Sequence, residues 1–141
     1  MTNNKSVLAW LDEMKELVTP DEVVWIDGSE EQLESLRKQA CETGEMIKLN
    51  EEKLPGCYLH RTAINDVARV EGRTFICSRK EEDCGPTNHW MEPQAAYKML
   101  FDIARGSYKG RTMYVIPYSM GPIGSPLAKI GWKSPTPSTW C

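Results

Sequence analysis

The chain has 141 residues, of which 40% are hydrophobic and 26% are charged. These values are typical of a globular protein of one domain and exclude a wholly disordered chain. Seventeen basic and twenty acidic residues give a net charge of −3, which argues against a nucleic-acid partner. No apolar run reaches the roughly 20 residues of a membrane span, and the first residues lack a signal-peptide pattern. The five cysteines are an odd number, so we expect reduced thiols in a cytoplasmic protein without a membrane partner.

The first third of the sequence predicts a helix, a strand and a second helix. Apolar residues recur at helical spacing at Val7, Leu11, Met14 and Val18, and Pro20 follows this pattern. Residues 22–27 have the character of a buried strand that stops at Gly28. Ser29 and Gln32 form a capping-box pattern, and Gly44 is a natural stop for the helix that follows. This order of elements favours an α/β fold.

The remainder alternates short strands with one further helix. Residues 57–60 and 73–77 are rich in strand-forming side chains, and residues 81–90 contain Gly-Pro-Thr-Asn and predict a loop. Pro93 is well placed as the first residue of a helix. Residues 111–116 predict a buried strand, and Pro117 should limit how far this strand pairs.

Two Cys and His pairs could be metal ligands. Cys57 and His60 are three residues apart, and Cys84 and His89 are five apart. Structural zinc needs four tetrahedral ligands, usually in close pairs. Residues 57–60 predict a strand, which would send the two side chains to opposite faces. We therefore favour ordinary thiols and a loop histidine, and we expect no metal site.

Two further motifs suggest chemistry but are weak. Cys84 lies near His89, yet the acidic residues beside it would raise the thiol pKa and disfavour a nucleophilic thiolate. Residues 119–125, Ser-Met-Gly-Pro-Ile-Gly-Ser, are glycine-rich but lack the lysine of a phosphate-binding loop, and two prolines remove backbone donors. We interpret this segment as a structural turn, and we assign no catalytic residue.

Residues 65–74, Asn-Asp-Val-Ala-Arg-Val-Glu-Gly-Arg-Thr, place two arginines among acidic neighbours. The planar guanidinium of Arg69 or Arg73 suits bidentate recognition of a carboxylate or phosphate. A surface ion pair with Asp66 or Glu71 explains the same pattern. Composition and periodicity favour the ion pair.

Three segments together resemble the amino-terminal part of GTP-dependent phosphoenolpyruvate carboxykinase. They are NDVARVEGRT, GPTNHWMEP and KGRTMYVIPYSMGPIGSPLAKIG, and the resemblance covers most of residues 20–131. The one departure that we note is His89, where the family has asparagine. The resemblance implies an α/β fold with a mixed sheet and flanking helices. Residues 1–131 would form part of the substrate-binding domain, and 132–141 a tail foreign to the family.

The resemblance also implies a reaction. Enzymes of this family convert oxaloacetate and GTP to phosphoenolpyruvate, carbon dioxide and GDP, with manganese, and are typically monomeric. The arginine of the family's DVAR motif binds the substrate carboxylate and corresponds to Arg69. The family's phosphate loop, metal ligands and guanine pocket lie beyond the matched region. We therefore expect an inactive fragment that binds GTP and manganese poorly. A non-catalytic module that binds a carboxylate or a partner is the alternative.

Residues 131–141 differ from the family's continuation, which resembles GVELTDSxYVV. One base inserted into the first codon of a DNA sequence encoding this tail gives Gly-Val-Glu-Ile-Thr-Asp-Ser-Leu-Tyr-Val-Val. We therefore hypothesise that the tail is the product of a frameshift. Because Ser-Pro-Thr-Pro cannot donate to a β-ladder, we expect residues 132–141 to be irregular and the preceding strands to expose an edge.

Overall fold

The computed structural model describes residues 2–62, 64 and 70–134. Within these ranges the helices are α1 (Lys5–Val18), α2 (Glu30–Glu42) and α3 (Pro93–Ala104). The strands are β1 (Glu22–Trp25), β2 (Ile47–Lys48), β3 (Tyr58–Leu59), β4 (Phe75–Ile76), β5 (His89–Trp90), β6 (Thr112–Met120) and β7 (Lys129–Lys133). Short 3₁₀ helices span Glu71–Arg73 and Glu81–Cys84. None of the helices in the described part is long and apolar enough to span a membrane.

The main sheet has the strand order β1-β6-β7. β1 pairs in parallel with β6, and β6 pairs antiparallel with β7. Two small ladders, β2 with β3 and β4 with β5, lie outside this sheet. The predicted α/β class with a mixed sheet and flanking helices is confirmed.

Side chains along β6 point alternately to the two faces of the sheet, and a different helix packs on each face. Met113 and Val115 are fully buried and join Leu11 of α1 in the main apolar cluster. Tyr114 points to the opposite face, where its hydroxyl lies 3.2 Å from Oε1 of Gln39 on α2. Successive strand residues face opposite sides of a sheet, so the central strand lies between the α1 layer and α2. Burial of each fully buried side chain contributes about 1.5–3 kcal/mol.

The connection from β1 to α2 departs from the predicted reciprocal capping box. Ser29 Oγ accepts the backbone N–H of Gln32 at 3.3 Å, as predicted. The Gln32 side chain does not return to Ser29. It accepts the N–H of Asp27 at 2.9 Å and donates to the carbonyl of Trp25 at 2.7 Å. Gln32 therefore ties the first turn of α2 to the end of β1.

Several predicted boundaries are wrong. β6 continues through Pro117 to Met120, because pairing passes from β1, which ends opposite Val115, to β7. Trp132 and Lys133 belong to β7, so the expected irregular tail is wrong at these two positions. Trp132 pairs with Pro117, and its ring packs edge-on against Trp25 at 5.7 Å between centroids. Residues 135–141 lie outside the described residues.

Two segments in the middle of the chain also differ from the prediction. The expected strand at 73–77 is reduced to Phe75–Ile76, because Arg73 ends a 3₁₀ helix. The expected loop at 81–90 contains a 3₁₀ helix and, at His89–Trp90, strand β5. The β4–β5 pairing is parallel and only two residues long, too short to produce a period in the sequence.

Beyond Val115, β6 pairs only with β7 in the described part of the chain. Residues 116–133 therefore form a two-stranded extension of the sheet, which we call the β-arm. Its connection is a tight loop in which Gly121 and Gly124 have φ of +98° and +90°, values that favour glycine.

Candidate functional site

Arg69, the residue expected to bind a substrate carboxylate, lies outside the described residues, as does Asp66. The structure resumes at Val70, whose carbonyl accepts the hydroxyl of Thr74 at 2.7 Å across the 3₁₀ helix Glu71–Arg73. The chain then enters β4. Arg69 is therefore followed immediately by hydrogen-bonded backbone.

The sequence around Arg69 carries a local excess of positive charge. Residues 61–80 contain five basic residues, Arg61, Arg69, Arg73, Arg79 and Lys80, and two acidic residues, Asp66 and Glu71. Their local net charge of +3 contrasts with −3 for the whole chain. Arg61 and Arg73 are exposed. A concentration of exposed cations attracts anionic ligands over several ångströms.

The alternative role for Arg73, an ion pair with Glu71, is not present. Five ion pairs are found in the described part of the chain, and none contains Arg73. The other acidic candidate, Asp66, lies outside the described residues, so an ion pair between it and Arg73 stays a prediction. The sequence pattern identified Arg73 but not Arg61, which the excess of positive charge would have identified.

Two of the three segments that suggested the family come together in the fold. Phe75 and Ile76, directly after the arginine-containing segment, pair with His89 and Trp90 of GPTNHWMEP. The indole N–H of Trp90 donates to the carbonyl of Ser78 at 3.0 Å. The rings of Phe75 and His89 also lie 6.1 Å apart. The second segment therefore supports the backbone that follows Arg69.

The third segment builds β6 and the β-arm. Its glycine-rich part forms the loop between β6 and β7, where Ser119 Oγ donates to the carbonyl of Gly121 at 2.8 Å. The Ser125 N–H donates to the carbonyl of Pro122 at 3.1 Å. The interpretation of this segment as a structural turn is confirmed for residues 121–125, whereas Ser119 and Met120 belong to β6.

The candidate metal ligands each have other neighbours. His60 Nδ1 lies 2.6 Å from the carbonyl oxygen of Glu45. The Cys57 thiol lies 3.7 Å from the carbonyl of Pro55, and the Cys84 thiol lies 3.4 Å from that of Gly85. No group of three His, Cys, Asp or Glu side chains suited to a metal ion occurs among residues 2–62, 64 and 70–134.

A cleft of about 490 Å³ lies between the sheet and α2. Three carboxylates, Glu22, Asp27 and Glu31, line it. The backbone N–H of Ser29 donates to Asp27 Oδ1 at 2.8 Å and lowers the pKa of that carboxyl. The ionised carboxylates oppose binding of an anion, so this cleft is a poor site for a dicarboxylic acid. Sequence reasoning missed the cleft because it forms only when α2 packs on the sheet.

Comparison with known proteins places these segments in one family. Residues 9–137 match the family described as Phosphoenolpyruvate carboxykinase N-terminal domain. Similar curated proteins are each named Phosphoenolpyruvate carboxykinase [GTP]. That of Corynebacterium efficiens is 51% identical over 130 residues, covering 92% of this chain and 21% of the relative. That of Anaeromyxobacter sp. strain K is 52% identical over 130 residues, covering 92% and 22%.

A third relative, from Corynebacterium glutamicum strain R, is 52% identical over 130 residues, covering 92% of this chain and 21% of its own length. The chain thus spans about a fifth of the length of the curated relatives that it matches. Because the match covers nearly all of the chain, the chain belongs to the phosphoenolpyruvate carboxykinase N-terminal domain family.

Proposed function

We propose that this chain is the amino-terminal part of a GTP-dependent phosphoenolpyruvate carboxykinase and carries its substrate-carboxylate arginine, Arg69. The complete enzyme would convert oxaloacetate and GTP to phosphoenolpyruvate, carbon dioxide and GDP. The observation that carries the proposal is the identity of about half of the residues, over 92% of the chain, to proteins named for that enzyme. The composition and the free thiols at Cys41, Cys57, Cys77 and Cys84 favour a cytoplasmic location, and the resemblance to the family favours a monomer.

Arginine suits the role because oxaloacetate is a dianion at neutral pH. The guanidinium remains charged and presents two parallel N–H donors to a carboxylate. The local charge of +3 in residues 61–80 supports binding of such an anion at this segment. A fixed carboxylate also keeps the oxygen of the enolate, formed when carbon dioxide leaves, in register for phosphoryl transfer, where positioning is a large part of catalysis.

The chain alone should not catalyse the reaction. The pattern GxxxxGK[ST], which cradles nucleotide phosphates, does not occur in its 141 residues. The described residues bring together no three metal-ligating side chains. Phosphoryl transfer needs a phosphate cradle and metal ions to stabilise the developing charge. We therefore assign neither a GTP step nor a manganese step to the residues of this chain.

A chimera tests the role of Arg69. In it, residues 9–133 of this chain replace the matching segment of the Corynebacterium glutamicum enzyme, and the rest of that enzyme is unchanged. Arg69→Lys should raise the KM for oxaloacetate at least tenfold, because losing a charged bidentate contact costs about 1.5–3 kcal/mol. The KM for GTP should change less than twofold.

Arg73→Lys is the matched control. It removes an exposed guanidinium four positions away and should change the KM for oxaloacetate less than threefold. An Arg69→Lys chimera with unaltered oxaloacetate kinetics would show that Arg69 does not bind the substrate. Equal effects of the two substitutions would show that the result does not come from a specific contact of Arg69, since both variants keep the positive charge.

The alternative function is a non-catalytic module that binds a carboxylate or a partner. The isolated chain distinguishes the two. With oxaloacetate, GTP and manganese it should form no phosphoenolpyruvate, and calorimetric titration with oxalate should give only weak binding, because the other walls of the pocket are missing. Tight oxalate binding by the isolated chain would favour the module.

A further inference from the structure

The β-arm exposes a concentration of large apolar side chains. Four of them are 64–89% exposed, namely Met120, Ile123, Leu127 and Ile130. Ile130 pairs with Ser119, two register positions along from the pair Trp132 and Pro117. Since side chains two positions apart on a strand share a face, Ile130 continues the face on which Trp132 reaches the core. The apolar face of the sheet therefore continues onto the arm, where Ile130 is exposed.

The exposed surface of the chain is large for its mass. The accessible area is 11177 Å² at 16.0 kDa. A compact monomer of that mass exposes about 7,400 Å². Obligate interfaces bury about 2,000–5,000 Å² summed over both partners, or about 1,000–2,500 Å² from each. The excess of roughly 3,800 Å² on this one chain is therefore larger than its share of one such interface.

The outer edge of β7 is also open. Among the described residues, β7 pairs only with β6. The arm contains two basic residues, Lys129 and Lys133, and no acidic residue. Both lysines lie on β7. Lysines on an edge strand oppose pairing of two identical edges, so charge disfavours a second copy of this chain as the occupant.

The lengths of the relatives indicate what covers the arm. The relatives are about five times as long as the matched region, and that region is the amino-terminal domain of the family, matched through residue 137. Most of the length of those proteins lies outside the matched region and, because that region is amino-terminal, follows the position of β7. The following segment is therefore tethered next to the arm, where its effective concentration is high.

We propose that the β-arm is a docking surface for the remainder of a phosphoenolpyruvate carboxykinase chain, supplied covalently or as a separate polypeptide. The apolar residues of the arm contact that partner, and the open edge of β7 offers backbone groups for added pairing. The proposal rests on family membership and not on the substrate role of Arg69. The two therefore fail separately.

Co-expression tests the docking directly. This chain, carrying an affinity tag, is produced together with the untagged Corynebacterium glutamicum enzyme lacking its matched segment. The two should co-purify at one-to-one stoichiometry. Ile130→Lys or Leu127→Lys should lower recovery of the partner at least tenfold. Ile47→Lys is the matched control, because Ile47 is 56% exposed on the separate β2–β3 ladder. Recovery should be unchanged in this variant and in Arg69→Lys.

Two results would overturn the proposal. One is a soluble partner that is not retained by the wild-type chain. The other is a dimer of this chain, seen by size-exclusion chromatography with light scattering, that the arm substitutions abolish, since this would make a second copy the occupant.

Hydrogen exchange gives a second measurement that does not need a soluble separate partner. In the chimera defined above, backbone amides of residues 116–133 should exchange at least tenfold more slowly than in the isolated chain. Equal exchange rates would show that the remainder of the enzyme does not cover the arm.

Discussion

Gly131 in β7 gives the sharpest structural prediction, because its partner residue occupies the space that a side chain would need. The pair is Gly131 and Tyr118. A Cβ at Gly131 would lie 2.5 Å from the Oη and 2.7 Å from the Cε1 of Tyr118, whereas ordinary contacts are near 3.5–4 Å. The φ of Gly131 is not positive, so Gly131→Ala introduces no dihedral strain and its effect should come from the Tyr118 ring.

The loss of stability in Gly131→Ala can be estimated from the contacts that Tyr118 would lose on moving. Its side chain is 37% exposed and can swing away, but it then leaves the Lys133 ammonium, which lies 5.2 Å from the ring centroid. An exposed cation–π contact contributes about 0.5–1 kcal/mol, and an unfavourable rotamer costs about 0.5–1.5 kcal/mol. We therefore expect Gly131→Ala to lower the free energy of unfolding by about 1–2.5 kcal/mol relative to its control.

The control is Gly72→Ala. Gly72 also has no positive φ, and a Cβ there would meet nothing within 4 Å. Both substitutions reduce the entropy of the unfolded chain by the same amount, so their difference isolates the clash. Urea unfolding, monitored by circular dichroism, measures the difference in free energy of unfolding between the two variants. The same measurement is made on both substitutions in a Tyr118→Ala background. If the two alanine variants have equal stability, or if the cost of Gly131→Ala persists without the Tyr118 ring, the reasoning is refuted.

Two further predictions concern the core and a partly buried hydroxyl. Met113→Ala should lower the free energy of unfolding by about 2–5 kcal/mol, because Met113 is fully buried, whereas Met120→Ala, at a site 66% exposed, should change it by less than about 0.5 kcal/mol. Equal urea midpoints for these two variants would contradict the placement of the core. Burial raises the pKa of Tyr108, whose hydroxyl donates to the carbonyl of Ser134 at 2.6 Å. The contribution of this hydroxyl to the free energy of unfolding should be fully present below about pH 10, which is the pKa of tyrosine in the unfolded chain. It should be lost as the pH rises through the higher pKa of the folded protein. Urea midpoints from pH 9 to 11 should fall less steeply for Tyr108→Phe than for the wild type, and an equally steep fall would refute this assignment.

Much of the fold could be predicted because, in the longer helices and strands, the local sequence pattern matches the burial that the fold imposes. The spacing of apolar residues from Val7 to Val18 located α1, and Pro93 marked the first residue of α3, as the structure has it. Residues 111–116 gave the central strand because the residues facing α1 and those facing α2 are both buried. Such elements carry their own pattern whatever surrounds them.

The rest depends on pairing between distant segments. Pro117 suggested the end of a strand, but β6 exchanges one partner for another at that position and continues. Trp132 lies in a segment that looked foreign, yet its ring packs on Trp25, more than a hundred residues earlier in the chain. Two-residue ladders such as β4–β5 have no periodicity to detect. In these cases contacts between residues far apart in the chain determine the secondary structure. Such contacts leave no pattern in the residues around each position.

The candidate site was predictable only through resemblance. Periodicity favoured an ion pair for the arginines, and the structure leaves Arg73 without one among the described residues. The role of Arg69 stays a prediction, since that residue lies outside the described ranges. The boundary of the family-like region at residue 131 and the frameshift hypothesis also stay predictions. The nucleotide sequence encoding residues 131–141 and the bases after it would test both.

The central claim is that this chain supplies a working amino-terminal part of a GTP-dependent phosphoenolpyruvate carboxykinase. The most direct test is the rate at which the chimera containing residues 9–133 forms phosphoenolpyruvate from oxaloacetate with GTP and manganese. We expect kcat/KM within about tenfold of the intact Corynebacterium glutamicum enzyme. A chimera that folds cooperatively and binds GTP normally, yet forms no phosphoenolpyruvate, would contradict the claim.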